Sequence, residues 1–185
     1  MSTLVEIVRT KTGAADADVT DARIIEALDE TSVSIDAIMV DWLQHPSGAQ
    51  RREGRIAIGK YLVEATDAED SVDPILLHDA SGDALAVLST TQRGVVTASG
   101  TASLPIAYAT GRAYDVHAAA AEIVEELLVL ERGSYDFKRG DQSFARSQRV
   151  SNLEGILRRL KAKKIPRRRG ETVMRDQAES TYWPG

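Results

Sequence analysis

The chain contains no cysteine, which excludes disulfides and cysteine-rich zinc sites. Aromatic residues are scarce, at 5% of 185 positions, so a core has to be assembled from Ala, Val, Ile and Leu. No apolar run approaches the ~18 residues of a membrane span. The opening MSTLVEIVRTKTG is too polar for a signal peptide, and a soluble, cytoplasmic chain without membrane contact is the expectation. Also missing are the phosphate loop G-x-x-x-x-G-K-S/T, the dinucleotide fingerprint G-x-G-x-x-G and the nucleophile elbow G-x-S-x-G, each of which carries a recognisable chemistry. His45, His78 and His117 are the three histidines, and none stands in a metal-ligand spacing.

What is present is a division of charge. The net of −5 conceals 10 Lys/Arg against 23 Asp/Glu in residues 1–137, a net of −13. Residues 138–169 reverse this, with 12 against 2 and a net of +10, and residues 170–185 carry 1 against 3. Such a split suits nucleic-acid binding by the basic part, or complementary contacts between copies in an assembly. An apolar content of 43% is ordinary for a globular chain, and the length suits one domain, with or without a modest inserted subdomain.

Hydrophobic spacing predicts a mainly α protein, a helical bundle built on a C-terminal αα-hairpin with a small β-rich or irregular insertion. Residues 1–65 read as N-terminal core helices. Leu4, Val5, Ile7 and Val8 predict a short helix ending near Gly13. Asp18 or Thr20 can cap the next, whose apolar face is Ile24, Ile25 and Leu28. Ser34–Leu43 mixes helical and looser spacings and is assigned to helix, ended by His45-Pro46-Ser47-Gly48. Arg51–Ala65 alternates at Ile56, Ile58 and Lys60 but also repeats helically at Ile58, Tyr61, Leu62 and Ala65, and helix is again preferred. Residues 66–103 break into strand-length pieces between turn signals and form the insertion.

Residues 104–166 form the expected hairpin. Ser103 is a candidate N-cap with Pro105 in the first turn. Val116, Ala120, Ile123, Leu127 and Leu130 then make one stripe, widened by Val124 and Leu128, up to a stop at Gly133. After Asp141 or Ser143, Val150, Leu153, Leu157 and Leu160 repeat at helical spacing beside Arg146, Arg149, Arg158, Arg159 and Lys161. Residues 167–185 lack periodicity and read as an extended tail.

Catalysis finds little support. His78-Asp79 as a general-base pair competes with the ordinary reading of two polar neighbours in a turn. His117 with Glu122 and Glu125 does not gather three ligands, and Glu125-Glu126 is better explained as a solvated helix face. No enzyme, metal or cofactor is expected. The basic helix over 143–164 could bind DNA with a steep salt dependence, yet it lacks aromatic interleaving and a helix-turn-helix pattern. The other reading is a tail that docks onto an acidic partner, with Tyr182 and Trp183 as anchors and the Arg/Lys run as the orienting charge.

The stretches LPIAYATGRAYDVHAAAAEIVEELLVLERG and YDFKRGDQSFARSQRVSNLEGILRRLKAKK resemble the tailed-bacteriophage head-to-tail connector (adaptor) proteins, which sit as a ring beneath the portal. The segment Val19-Thr20-Asp21-Ala22-Arg23-Ile24-Ile25-Glu26-Ala27-Leu28 is similar to their first core helix. Residues 66–103 depart from the compact all-helical members. The resemblance implies a structural virion protein located in the neck, assembled in the host cytoplasm. It further implies a homo-oligomeric, dodecameric ring that binds portal protein and a downstream neck or tail protein. Genomic DNA would pass through the channel without sequence-specific binding. It makes Arg167, Arg168, Arg169, Tyr182 and Trp183 the portal-docking residues and Glu122, Glu125 and Glu126 the candidates for a channel-facing acidic surface. A small DNA-binding protein using the basic helix is the alternative.

Overall fold

Helix α1 (Leu4–Thr12) begins under a capping box: the Thr3 hydroxyl accepts from the Glu6 amide, and the Glu6 carboxylate accepts from the Thr3 amide. It ends at Gly13, whose φ of 66° supplies the left-handed stop that a side chain would strain. The computed structural model describes residues 3–15, 18–43, 51–67, 75–99, 106–133 and 142–166. Thr20 caps α2 (Asp21–Glu30) by accepting from the Arg23 amide at 3.3 Å. Thr31 closes that helix, its buried hydroxyl donating to the Ala27 carbonyl at 2.8 Å.

The chain then enters a β unit, residues 32–114, before returning to the helices; segments 2–31 and 115–166 make up the second, helical unit. The β unit holds β1 (Ser32–Trp42), β2 (Arg51–Ile56), β3 (Thr66–Asp67), β4 (Leu76–Asp79), β5 (Ala84–Leu85), β6 (Val87–Thr90), β7 (Val95–Ser99) and β8 (Ala107–Tyr114). Their order is β3-β6-β7-β2-β1-β8-β4-β5, antiparallel throughout. β1 is the shared central strand. Its first part pairs with β8, from Ser32↔Tyr114 to Met39↔Tyr108, and its last three residues pair with β2. A bulge between Ile35 and Ile38 separates runs of its β8 pairing, and Ala37 sits there at φ 50°.

Ile35, Val40, Ile56, Tyr61, Val63, Leu77 and Val96 fill the interior of the β unit. Against them lie Ala107, Ala109 and Ala113 of β8, all fully buried. Gly54 is required by packing: a Cβ there would lie 2.5 Å from Val40 Cγ1 and 2.7 Å from the Trp42 ring. The β4–β5 turn is tied by Asp79 Oδ1, which accepts from the Ser81 and Asp83 amides at 2.8 and 2.9 Å.

In the helical unit, α3 (Val116–Gly133) is central and packs against α1, α2 and α4 (Gln142–Lys163). Ala119, Ala120 and Ala121 let neighbours approach closely, and Val8, Ile24, Leu28, Ile123, Val124, Leu127, Leu153 and Leu160 fill the space between. Asp115, itself buried, caps α3: Oδ1 accepts from the His117 and Ala118 amides at 3.1 Å each, while Oδ2 accepts from the Ile165 amide at 2.9 Å. One carboxylate thus fixes the start of α3 and the end of α4.

The mainly α expectation is overturned by the eight-stranded sheet. Ser34–Leu43, expected as helix, lies almost wholly in β1, and Arg51–Ala65 begins with β2. The helix expected from Ser103 starts only at Val116, because Ala107–Tyr114 is strand β8. β structure, expected only within 66–103, spans 32–114. Leu130, placed on the buried stripe of its helix, is 66% exposed.

Candidate functional site

The acidic residues of α3 point in two directions, set by the helical period. Glu122 and Glu126, one turn apart, face α2 and meet Arg23. Arg23 Nε donates to Glu126 Oε1 and Oε2 at 2.9 and 3.1 Å, and Nη2 forms a further short contact with Oε1. Nη2 also reaches Glu122 Oε1 at 3.5 Å, and Nη1 stands 3.1 Å from Glu26 Oε2. The hydrogen bonds to Glu126 hold the guanidinium pKa above its ordinary value. Burial pushes the Glu122 carboxyl up, reinforced by a hydrogen bond with Glu30 and opposed by Arg23. Glu122 and Glu126 are therefore partly neutralised within the unit.

Glu125 faces the other way, towards α4. It pairs with Lys161 Nζ at 2.5 Å, and farther along Arg132 pairs with Glu154 at 2.6 Å. The two bridges cross a groove of about 540 Å³ between α3 and α4, floored by Leu128 and Leu157 and bordered by Val129 and Arg158. Val129 is 70% exposed, and Leu130 beside it is nearly as open. Leaving adjacent large aliphatic residues in water on a helix that buries most of its apolar face marks this side as uncovered.

A second surface of the unit has the opposite character. On α2, Asp21, Ile25 and Asp29 recur at four-residue spacing and share one face. Ile25 is half exposed and framed by the exposed acids Asp21, Glu26 and Asp29.

The candidate docking residues Arg167, Arg168, Arg169, Tyr182 and Trp183 lie outside the described residues, as does His45. His78 is in β4 beside Asp79, whose Oδ1 is occupied by the turn amides, and His117 is in the first turn of α3. Among the described residues no group of three His, Asp or Glu side chains could hold a metal ion. No described helix is long and apolar enough to cross a membrane.

The chain matches no family model, no curated protein and no solved structure.

Val129, Arg132, Glu154, Leu157 and Arg158 were not singled out as site residues from sequence. The signal available was apolar width: α3 carries more Val and Leu than one stripe needs. The basic helix is also less free than its composition suggests. Arg149 reaches Asp18 at 3.2 Å and Glu131 at 3.1 Å, and Lys161 is engaged by Glu125.

Proposed function

We propose that this protein is a structural component of a tailed-phage neck. In this reading it is an adaptor that assembles into a ring below the portal, extends the DNA channel and presents its other face to the next connector. The observation that carries the reading is the presence, on one helical unit, of two unlike surfaces that each expose large aliphatic side chains, Val129 and Leu130 on α3 and Ile25 on α2. The α3–α4 groove is apolar and bordered by Arg158 and the Glu125–Lys161 and Arg132–Glu154 pairs, and the α2 face sets the half-exposed Ile25 among Asp21, Glu26 and Asp29, of which Asp21 pairs with Arg9 and Glu26 with Arg23. A contact between unlike faces of identical copies leaves one free face at each end and closes only by forming a ring. The resemblance of the same helices to connector proteins supplies the biological setting.

The DNA-binding alternative is weakened by the ion pairs that engage Arg149 and Lys161 on α4. The acidic-channel role of Glu122, Glu125 and Glu126 is retained as part of the proposal with reduced charge, since all three are paired. Arg167, Arg168, Arg169, Tyr182 and Trp183 remain the proposed portal contacts.

The test is mass measurement of the protein alone and with portal, using the full chain and a truncation ending at Pro166. Ile25→Asp and Val129→Asp change only exposed positions, so each should fold yet fail to assemble. Mixed together, they should give a heterodimer and nothing larger, because each retains the face the other lacks. Portal capture that disappears with the truncation supports the docking role of the tail. A protein that ignores portal, never self-associates and retards duplex DNA would replace this reading with the DNA-binding one.

A further inference from the structure

A second cavity in the helical unit, of about 320 Å³, lies where α1, the first turn of α3 and the last turns of α4 meet. Lys11, His117, Arg159 and Lys163 line it, and among the described residues no carboxylate does. Asp115, which acts on His117, has its two oxygens taken by the amides of His117, Ala118 and Ile165. Thr10 also lines the space, but its hydroxyl proton goes to the Glu6 carbonyl at 2.9 Å.

This cluster differs from several other cations of the unit. Arg23, Arg132, Arg149 and Lys161 each pair with a carboxylate, as Arg9 does with Asp21. Lys11, Arg159 and Lys163 have no carboxylate partner among the described residues, and Arg159 Nε finds only the Gly155 carbonyl of its own helix at 3.3 Å. Three elements therefore bring three cations and an imidazole to one concavity, with no carboxylate paired to the cations among the described residues. Burial and mutual repulsion act together on the pKa values of the members. Burial and then Lys163 lower the Lys11 pKa. Burial and Lys11 lower that of His117, with Lys163 adding to them and Asp115 opposing.

We infer that this pocket binds a tetrahedral oxyanion of the phosphate class. The match is chemical: donors from three elements line one space that, among the described residues, holds no carboxylate, which suits several anionic oxygens better than the flat, singly charged carboxylate. The inference does not depend on ring assembly. Phosphate oxygens reach the site either as a free phosphate or as a phosphodiester of nucleic acid, and the anion offsets the mutual repulsion of the cluster. Protonated His117 adds a further charge, so binding is tighter on the acid side of neutrality.

The experiment is thermal unfolding of the full chain with inorganic sulfate or phosphate against chloride at equal ionic strength. The His117 ring is followed by NMR, and sulfate is used for the pH series because its own charge is constant there. Both oxyanions should raise the melting temperature progressively with concentration, following the logarithmic dependence of ligand linkage, and sulfate should move the His117 titration upward. Lys11→Gln and Lys163→Gln should each weaken sulfate binding by about tenfold or more, the loss of one charge-assisted contact. Each should also melt higher than the parent when no oxyanion is present, since it relieves repulsion. Arg158→Gln, at the other groove, should leave sulfate binding unchanged. Competition by a short DNA duplex, lost in Lys11→Gln, identifies a phosphodiester as the ligand. Binding of free phosphate without competition identifies a small phosphate. Sulfate behaving like chloride, or Lys11→Gln melting lower than the parent in its absence, would overturn the inference.

Discussion

Replacing Arg23 by Met tests how much of the α2–α3 contact is electrostatic. Methionine retains an apolar stem of similar length, so the packing along α3 is largely kept. What is lost is a guanidinium hydrogen-bonded to Glu126 and close to Glu122 and Glu26. An exposed ion pair contributes only about 0.2–1 kcal/mol, whereas hydrogen bonds to charged groups contribute about 1.5–3 kcal/mol. Arg23 is 25% exposed while Glu126 is 44% exposed, so solvent recovers part of the loss, and about 2 kcal/mol is expected. Urea unfolding followed by the helical signal measures it. Adding Glu126→Gln and the double variant completes a cycle whose coupling should reach about 1 kcal/mol. Towards the ordinary carboxylate range the deficit of Arg23→Met should shrink relative to neutral pH, because the raised Glu122 carboxyl is among the first to take up a proton and one of the stranded charges then disappears. A coupling below about 0.5 kcal/mol, or an equal deficit at both pH values, would refute the electrostatic account and leave packing as the cause.

Other perturbations have equally definite outcomes. Gly54→Ala should destabilise the β unit by about 1–3 kcal/mol through overpacking against Val40 and Trp42, read as faster amide exchange across β1 and β2. Asp115→Ala removes the α3 cap and leaves the Ile165 amide without its acceptor, a combined loss of about 2–3 kcal/mol. Asp115→Asn keeps one acceptor oxygen and should lose less in the same denaturation assay. Glu122 carries a raised folded-state pKa, so the native state binds its proton more tightly than the unfolded chain. Its contribution to stability accordingly falls as pH rises from the ordinary carboxylate range through the folded-state value. Glu122→Gln should flatten that part of the stability–pH curve; an unchanged slope would exclude Glu122 as its source.

The helices were legible where periodicity and cap chemistry agreed. Gly13 marks the end of α1 and Thr20 the start of α2, and the apolar repeats of α3 and α4 are carried by the sequence, whereas the Thr3–Glu6 capping box emerged with the structure. The strands were obscured for separate reasons. In β1 the bulge at Asp36-Ala37 breaks the two-residue alternation, so Ile35, Ile38 and Met39 no longer fall on one parity. In β8 the residues facing the interior are alanines, whose intrinsic preference is helical. They serve there because a central strand packed closely against its neighbours needs small side chains. In β2 the packing position is a glycine, which carries no hydropathy signal. Each case is a local preference overruled by tertiary packing.

Composition and spacing by themselves determined the absence of thiol chemistry, the lack of a recognisable catalytic motif, the charge division and the cores of the helices. These depend on residue identity or on contacts within a turn or two. Only the tertiary structure decided that residues 32–114 form a separate sheet, because strand pairing joins positions far apart in sequence. It also decided which charges are satisfied. Glu125 and Lys161 look like solvated helix residues until α3 and α4 pack. Lys11, His117 and Lys163 are scattered along the chain until three helix ends bring them around one cavity. Coulomb energy depends on distance in space, and the linear order of the residues does not carry that distance.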